Sequence, residues 1–441
     1  MEHQPRGLVL DISLALLNHV RMSSELCKRI LSGFIFGLIL LFPFFPPTAN
    51  ASDWPQILGP TRNSVYPAAD LKNDWPKSGP STLWKKKTGT GWAGPVIAGE
   101  RLIFFHREDD NEVIECLDAH TGKNLWRHAY PTDYVDGFGF DNGPRATPCI
   151  ANDRVYTFGA NGTLNCVELK SGKPIWNIDV RQQFSAPKGF FGMACSPLVD
   201  KERLLLNIGG ADGAGIVCLN AKTGKLLWKA TDDEASYSSP VVARFGEKDQ
   251  AIFFTRKNLF ALDPAKGKVL WQHSLGPAMQ ASVSGAVPLV MNGSVFASAS
   301  YGAGALVLDV KGNETKTVWR SDEILSCQYN TAVFLDGHLF GFDGRLDTGP
   351  RPELRCVEVR TGKIKWKTSR IDAGSIILTG NSLLILTVNG QLIQSRADTT
   401  HYEEIGRAQV LGLEVRSHPA LASGLFYARD KRQLVCIDLR K

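Results

Sequence analysis

Apolar positions along this chain come in short runs, not in long helical stripes. RLIFFH, RVYTFG, RLLLNI, AIFFTR, SVFASA, HLFGFD, LLILTV and LFYARD are such runs. Each is bounded by turn residues and too short for an ordinary helix, so each reads as a buried strand. A first, shorter strand precedes most of them and starts beside a proline: Gly94-Pro95-Val96, Thr147-Pro148-Cys149, Ser196-Pro197-Leu198, Ser239-Pro240-Val241, Val287-Pro288-Leu289 and His418-Pro419-Ala420. A third strand, a turn and a fourth strand with a tryptophan follow. ECLDAHTGKNLW ends at Trp126, NCVELKSGKPIW at Trp176, VCLNAKTGKLLW at Trp228, FALDPAKGKVLW at Trp271 and RCVEVRTGKIKW at Trp366. VLDVKGNETKTVW, ending at Trp319, carries one inserted residue, and a decayed copy ends at Ile405.

These copies predict four-stranded antiparallel units. The polar residue before the turn accepts hydrogen bonds from turn amides, and the glycine supplies the positive φ that the hairpin needs. The tryptophan offers a large apolar face that only a neighbouring unit can bury. Repeats of this length and content predict a β-propeller. Eight units are counted. The last, ending LVCIDLRK, lacks a tryptophan strand, while STLWKKK around Trp84 is a tryptophan strand without a unit. Pairing the two closes the ring and removes an exposed sheet edge. The expected fold is therefore all-β: a single eight-bladed β-propeller spanning 81–441, with Trp84, Trp126, Trp176, Trp228, Trp271, Trp319 and Trp366 docking blade on blade.

The N-terminus follows a different pattern. Lys28-Arg29, an apolar run from Ile30 to Phe42, prolines 43, 46 and 47, and Thr48-Ala49-Asn50-Ala51 describe a secretory signal. Residues 1–51 are read as a signal peptide, with 1–21 as an upstream extension if Met22 is the working start. Residues 52–80 are read as an N-terminal strap. The chain is expected in the periplasm or outside the cell, with no stable membrane span once the signal is cleaved.

Composition changes this picture little. The 441 residues are 43% hydrophobic and 21% charged, with a formal net charge of +6. No basic block marks a nucleic-acid arm, so no nucleic-acid partner is expected. Cys116, Cys166, Cys218, Cys356 and Cys436 hold one repeat position. Their counterparts in adjacent blades should stand farther apart than a disulfide spans, so they are expected as buried small hydrophobes. No metal site is expected, and no catalytic residue can be assigned. IGGADGAGIV resembles a dinucleotide loop, but a strand follows it and not a helix.

The hairpin LDA-x-TGK-x-x-W resembles the tryptophan-docking repeat of pyrroloquinoline-quinone-type propellers. That superfamily includes quinone-dependent alcohol dehydrogenases and BamB-type outer-membrane assembly proteins. DWPQILGPTRNSVYP, GPRATP, SYSSPVV and LFYARDKRQLVCIDLR resemble secreted planctomycete members of it. The resemblance implies two functions: a non-catalytic binding or assembly module of the cell envelope, or a quinone-dependent alcohol dehydrogenase of polyvinyl-alcohol type. The second would use pyrroloquinoline quinone with calcium. The adjacent cysteine pair and the C-x-x-C-H haem motif of quinoenzymes do not occur here, so no cofactor is expected and a protein or envelope partner is favoured.

Topology then directs the search for a site. The repeated turns all lie on one face. The second-to-third connections and the blade crossings lie on the other, and they are long and aromatic. Tyr134, Phe138, Phe140, Phe190 and Phe191 are expected there as partner-binding residues. Residues three before the proline slot include Trp92, Arg145, Tyr237, Tyr329 and Arg416, and His418 stands one before it. If these face the central axis, they ring its mouth and suit a polar or anionic ligand or an extended peptide.

Overall fold

The computed structural model describes residues 53–441 except 68–70, 73, 77 and 278; the expected signal peptide lies outside the described residues. Among the described residues, each of eight sheets contains a four-stranded antiparallel unit, and in seven of them those four strands neighbour in chain order. Blade one consists of Val96–Ala98, Arg101–Glu108, Asn111–Asp118 and Asn124–Pro131. In the last blade, Ala420–Ala422, Leu425–Arg429 and Gln433–Asp438 take their outer strand from Ser81–Lys87. Trp84 stands opposite Cys436 in that closure. The eight-bladed propeller inferred from the repeat is thus the observed fold.

The core lies between blades. Ile103, Phe105, Ile114, Cys116 and Trp126 of blade one pack with Ile150, Val155 and Val167 of blade two. Second and third strands are buried on both sides because each blade is covered twice. Outer strands keep alternating exposure: Asn124–Pro131 buries Trp126 but exposes Leu125. The eight cysteines of the described chain are all buried and unbridged.

The repeated hairpin does two jobs at each blade junction. Asp118 Oδ1 accepts from the amides of His120 and Thr121 at 3.1 and 2.8 Å, which shapes the turn. The same turn then receives the preceding tryptophan. Trp84 Nε1 donates to Ala119 O at 3.0 Å, Trp126 to Leu169 O at 2.9 Å, and Trp176 to Ala221 O at 3.2 Å. Trp228, Trp319 and Trp366 repeat the bond to Pro264, Val359 and Asp398. Trp271 departs from it. The next blade carries the inserted residue in its turn, and Trp271 donates instead to Gln250 Oε1 of its own blade at 2.8 Å.

The segment from Asp53 to Tyr66 crosses the ring. Trp54 exchanges backbone hydrogen bonds of 2.9 Å with Ile97 in blade one, and Pro55 O accepts from Ile150 N in blade two at 2.7 Å. Arg62, 2% exposed, donates to the carbonyls of Ser196, Pro197 and Pro240 in blades three and four. Val65–Tyr66 then adds a parallel fifth strand beside Gly374–Thr379 of blade seven, the degenerate copy.

Candidate functional site

The first strands of the blades converge on the axis and enclose a cavity of about 450 Å³. Trp92, Arg145, Tyr237, Tyr329, Arg416 and His418 all line it. They come from five blade crossings, and period-two geometry turns them to the axial side of their strands. Ile57 of the crossing segment also lines the cavity. Phe140, Phe191, Tyr301 and Asp347 form its wall toward the long loops.

The position one before the proline slot is largely spent on closing the ring. Gly94 N donates to Thr147 Oγ1 at 3.1 Å, Thr147 N to Ser196 Oγ at 2.9 Å, Ser196 N to Ser239 Oγ at 2.9 Å, and Val287 N to Thr331 Oγ1 at 2.9 Å. Each bond ties one blade to the next. His418 meets Ser375 Oγ at 3.2 Å, and burial lowers its pKa to about 4. It is a neutral imidazole at pH 7, not a cationic group.

The two arginines differ. Arg145 pairs with Asp136 at 2.8 Å, with both side chains at most 5% exposed, and donates to the carbonyls of Asp141 and Gly143. Asp136 also accepts from Phe138 N at 2.9 Å. Arg145 therefore has its charge compensated and braces the loop that carries Phe138 and Phe140. Arg416 has no ion pair among the described residues. Its guanidinium stands 5.2 Å from the Trp92 ring and 6.0 Å from that of Phe140, and Arg145 approaches Trp92 to 5.1 Å. Aromatic faces hold cations of this kind without neutralising them. Trp92 Nε1 and Tyr329 OH are shielded from solvent and lack hydrogen-bond partners. Burial pushes the Tyr329 phenol up to about 12, against the pull of Arg416, so it stays a donor.

The loops above the cavity carry an exposed aromatic cluster. Phe138, Phe140 and Phe190 are 51%, 45% and 37% exposed. Phe138 and Phe191 rings stand 4.9 Å apart, and Phe191 leans on Tyr237 at 5.7 Å. Tyr134 is a correction to the sequence reading. At 1% exposure it cannot meet a partner; it lies under the Arg145 guanidinium at 4.8 Å and supports the loop from below.

Two other features carry less. A more open groove of about 1180 Å³ lies beside the same loop, but its Arg107 is committed to Asp110 and to the Tyr134 and Asn142 carbonyls. His106, Glu108 and Glu115 cluster within 4.8 Å of one another. There Nδ1 of His106 accepts from Gly89 N at 2.9 Å, and Lys86 Nζ stands 3.5 Å from Glu115, where its charge competes with any cation.

The comparisons with known proteins agree with the fold. The family model described as outer membrane protein assembly factor BamB matches residues 109–368. BamB of Yersinia pestis is 20% identical over 67% of this chain and 74% of its own length. A quinohemoprotein alcohol dehydrogenase, ADH IIB of Pseudomonas putida, is 31% identical over 26% of this chain, a stretch that spans only 16% of the dehydrogenase. The crystal structure of the quinohemoprotein alcohol dehydrogenase of Comamonas testosteroni superposes with a TM-score of 0.66 at 14% identity, covering 89% of this chain and 81% of that one.

Proposed function

The chain belongs to the family described as outer membrane protein assembly factor BamB, and from that premise we propose that it is an exported, non-catalytic propeller. It acts as a binding or assembly module of the cell envelope and engages a protein or polar ligand through its long-loop face. The observation that carries this reading is the exposed Phe138, Phe140 and Phe190 cluster on loops braced by the buried Arg145–Asp136 pair. Three aromatic rings held in water on a rigid support are what partner-binding surfaces use. No helix among the described residues is long and apolar enough to cross a membrane. A place in the periplasm or outside the cell fits the signal read in residues 1–51.

The second reading, a quinone-dependent dehydrogenase, finds less support in the cavity. A calcium ion takes six to eight oxygen ligands, several of them carboxylates. The cavity lining supplies one carboxylate, Asp347, already bound by Tyr301 OH and Gln328 Nε2 at 3.2 Å each. No cysteine is among its described lining residues. The residues present do not fit a quinone–calcium pair.

Site-directed photo-crosslinking tests the proposal. A benzophenone side chain at Phe138 should give a discrete protein adduct in cell envelopes, while one at Leu125 on an outer strand should not. Adducts at both positions alike, or stoichiometric quinone uptake with dye-linked alcohol oxidation, would overturn it.

A further inference from the structure

The cavity and the aromatic rim form one continuous surface, and their chemistry narrows the ligand. The crossing segment places Ile57 in the cavity wall, where it is 7% exposed. The loop residues Phe140, Phe191, Tyr301 and Asp347 line it as well. At about 450 Å³ it sits at the small end of ligand sites, which favours the end of a chain over a longer segment.

Its charge is equally restrictive. Arg145 is neutralised by Asp136, His418 is neutral, and Asp347 has Arg345 at 3.7 Å. Arg416 remains as the one uncompensated cation among the described lining residues. It stands over the rings of Phe140 on the rim and Trp92 within, and acts on Tyr329. The Trp92 and Tyr329 side chains line the same cavity. One positive charge with a fork of N–H donors matches a single carboxylate. A phosphate dianion would be under-compensated there, and a neutral sugar would leave the guanidinium unpaired. The apolar rim directly outside calls for apolar side chains joined to that carboxylate.

We propose that the cavity takes the free C-terminal carboxylate of an extended peptide, with Arg416 as its donor and with the Phe138–Phe140–Phe191 cluster seating the preceding apolar side chains. This rests on the reading of the long-loop face as a binding surface, and it names what that face selects. Chain-terminus capture by convergent donors is a recurring mode of peptide recognition.

The test is fluorescence anisotropy with a fluorescein-labelled peptide ending Ile-Leu-Val, as free acid and as C-terminal amide. The wild-type chain should bind the acid at least tenfold tighter than the amide. Arg416→Gln should abolish that preference. Phe138→Ser should weaken acid and amide equally. Thermal melts confirm that each variant is folded. Equal binding of acid and amide, no binding of the acid, or a preference that survives Arg416→Gln overturns the carboxylate site. Crosslinking from Phe138 that persists alongside such a result leaves the broader reading standing; its loss removes both.

Discussion

Trp126 rests on Gly172 of the next blade so closely that a Cβ at Gly172 would stand 2.3 Å from the indole. The glycine is also at φ +70, so it meets two demands, one local and one across the junction. Gly172→Ala should therefore cost about 2–4 kcal/mol, from a strained backbone and an overpacked ring. Gly99 has a positive φ as well, but a Cβ there would meet nothing within 4 Å, which makes it the control. Gly99→Ala should lose only the backbone part, about 1 kcal/mol. Denaturant midpoints of the two variants check this, and equal losses would remove the ring contact from the account.

Arg62 ties the crossing segment to blades three and four through three carbonyls. Arg62→Met keeps the stem but leaves those acceptors buried and unmatched, which should cost about 3 kcal/mol or more. Limited proteolysis should then cut within 53–66 before the blades unfold. A variant that melts and resists protease like the wild type would show the segment to be ornamental.

His418 makes stability depend on pH in a definite direction. Its folded pKa is about 4, below the ordinary 6.5, because burial disfavours the charged ring. Below pH 6.5 the unfolded chain takes up a proton that the folded chain refuses. Stability should fall between pH 6.5 and about 4 by up to about 3 kcal/mol and then level off. His418→Gln should flatten that part of the profile, as read from unfolding midpoints across the range.

The cysteines should be silent in the folded protein. Burial raises the thiol of Cys116 to about 12 and that of Cys166 to about 11, so neither presents a thiolate at neutral pH. A thiol reagent should label none of the eight in the native chain and all of them, Cys116 through Cys436, after denaturation without reductant. Four bridges found by mass spectrometry would contradict the structure.

Much of the cavity was legible in the sequence because it is built from a repeat. Aligning the proline slots brought Trp92, Arg145, Tyr237, Tyr329, Arg416 and His418 to one register, and the structure places all six on one cavity. What they do there was not legible. The hydroxyls at Thr147, Ser196, Ser239 and Thr331 serve as blade-to-blade latches, a role visible only when neighbouring blades are in place. Tyr134 sits in a long polar loop and reads as exposed; its burial depends on Arg145 lying over it.

The sequence by itself determined the ring. Hairpin, turn glycine and tryptophan recur often enough to count blades, and the unmatched strands at Trp84 and Cys436 dictated the closure. These contacts are the same at most junctions, so they leave a period in the chain. Only the tertiary structure decided the path of residues 53–66, the substitute partner Gln250 for Trp271, and the charge balance of the cavity. Asp136 neutralises Arg145, while no such partner reaches Arg416 among the described residues. Those relations occur once each, between segments that only folding brings together, and a contact made once leaves no pattern to read.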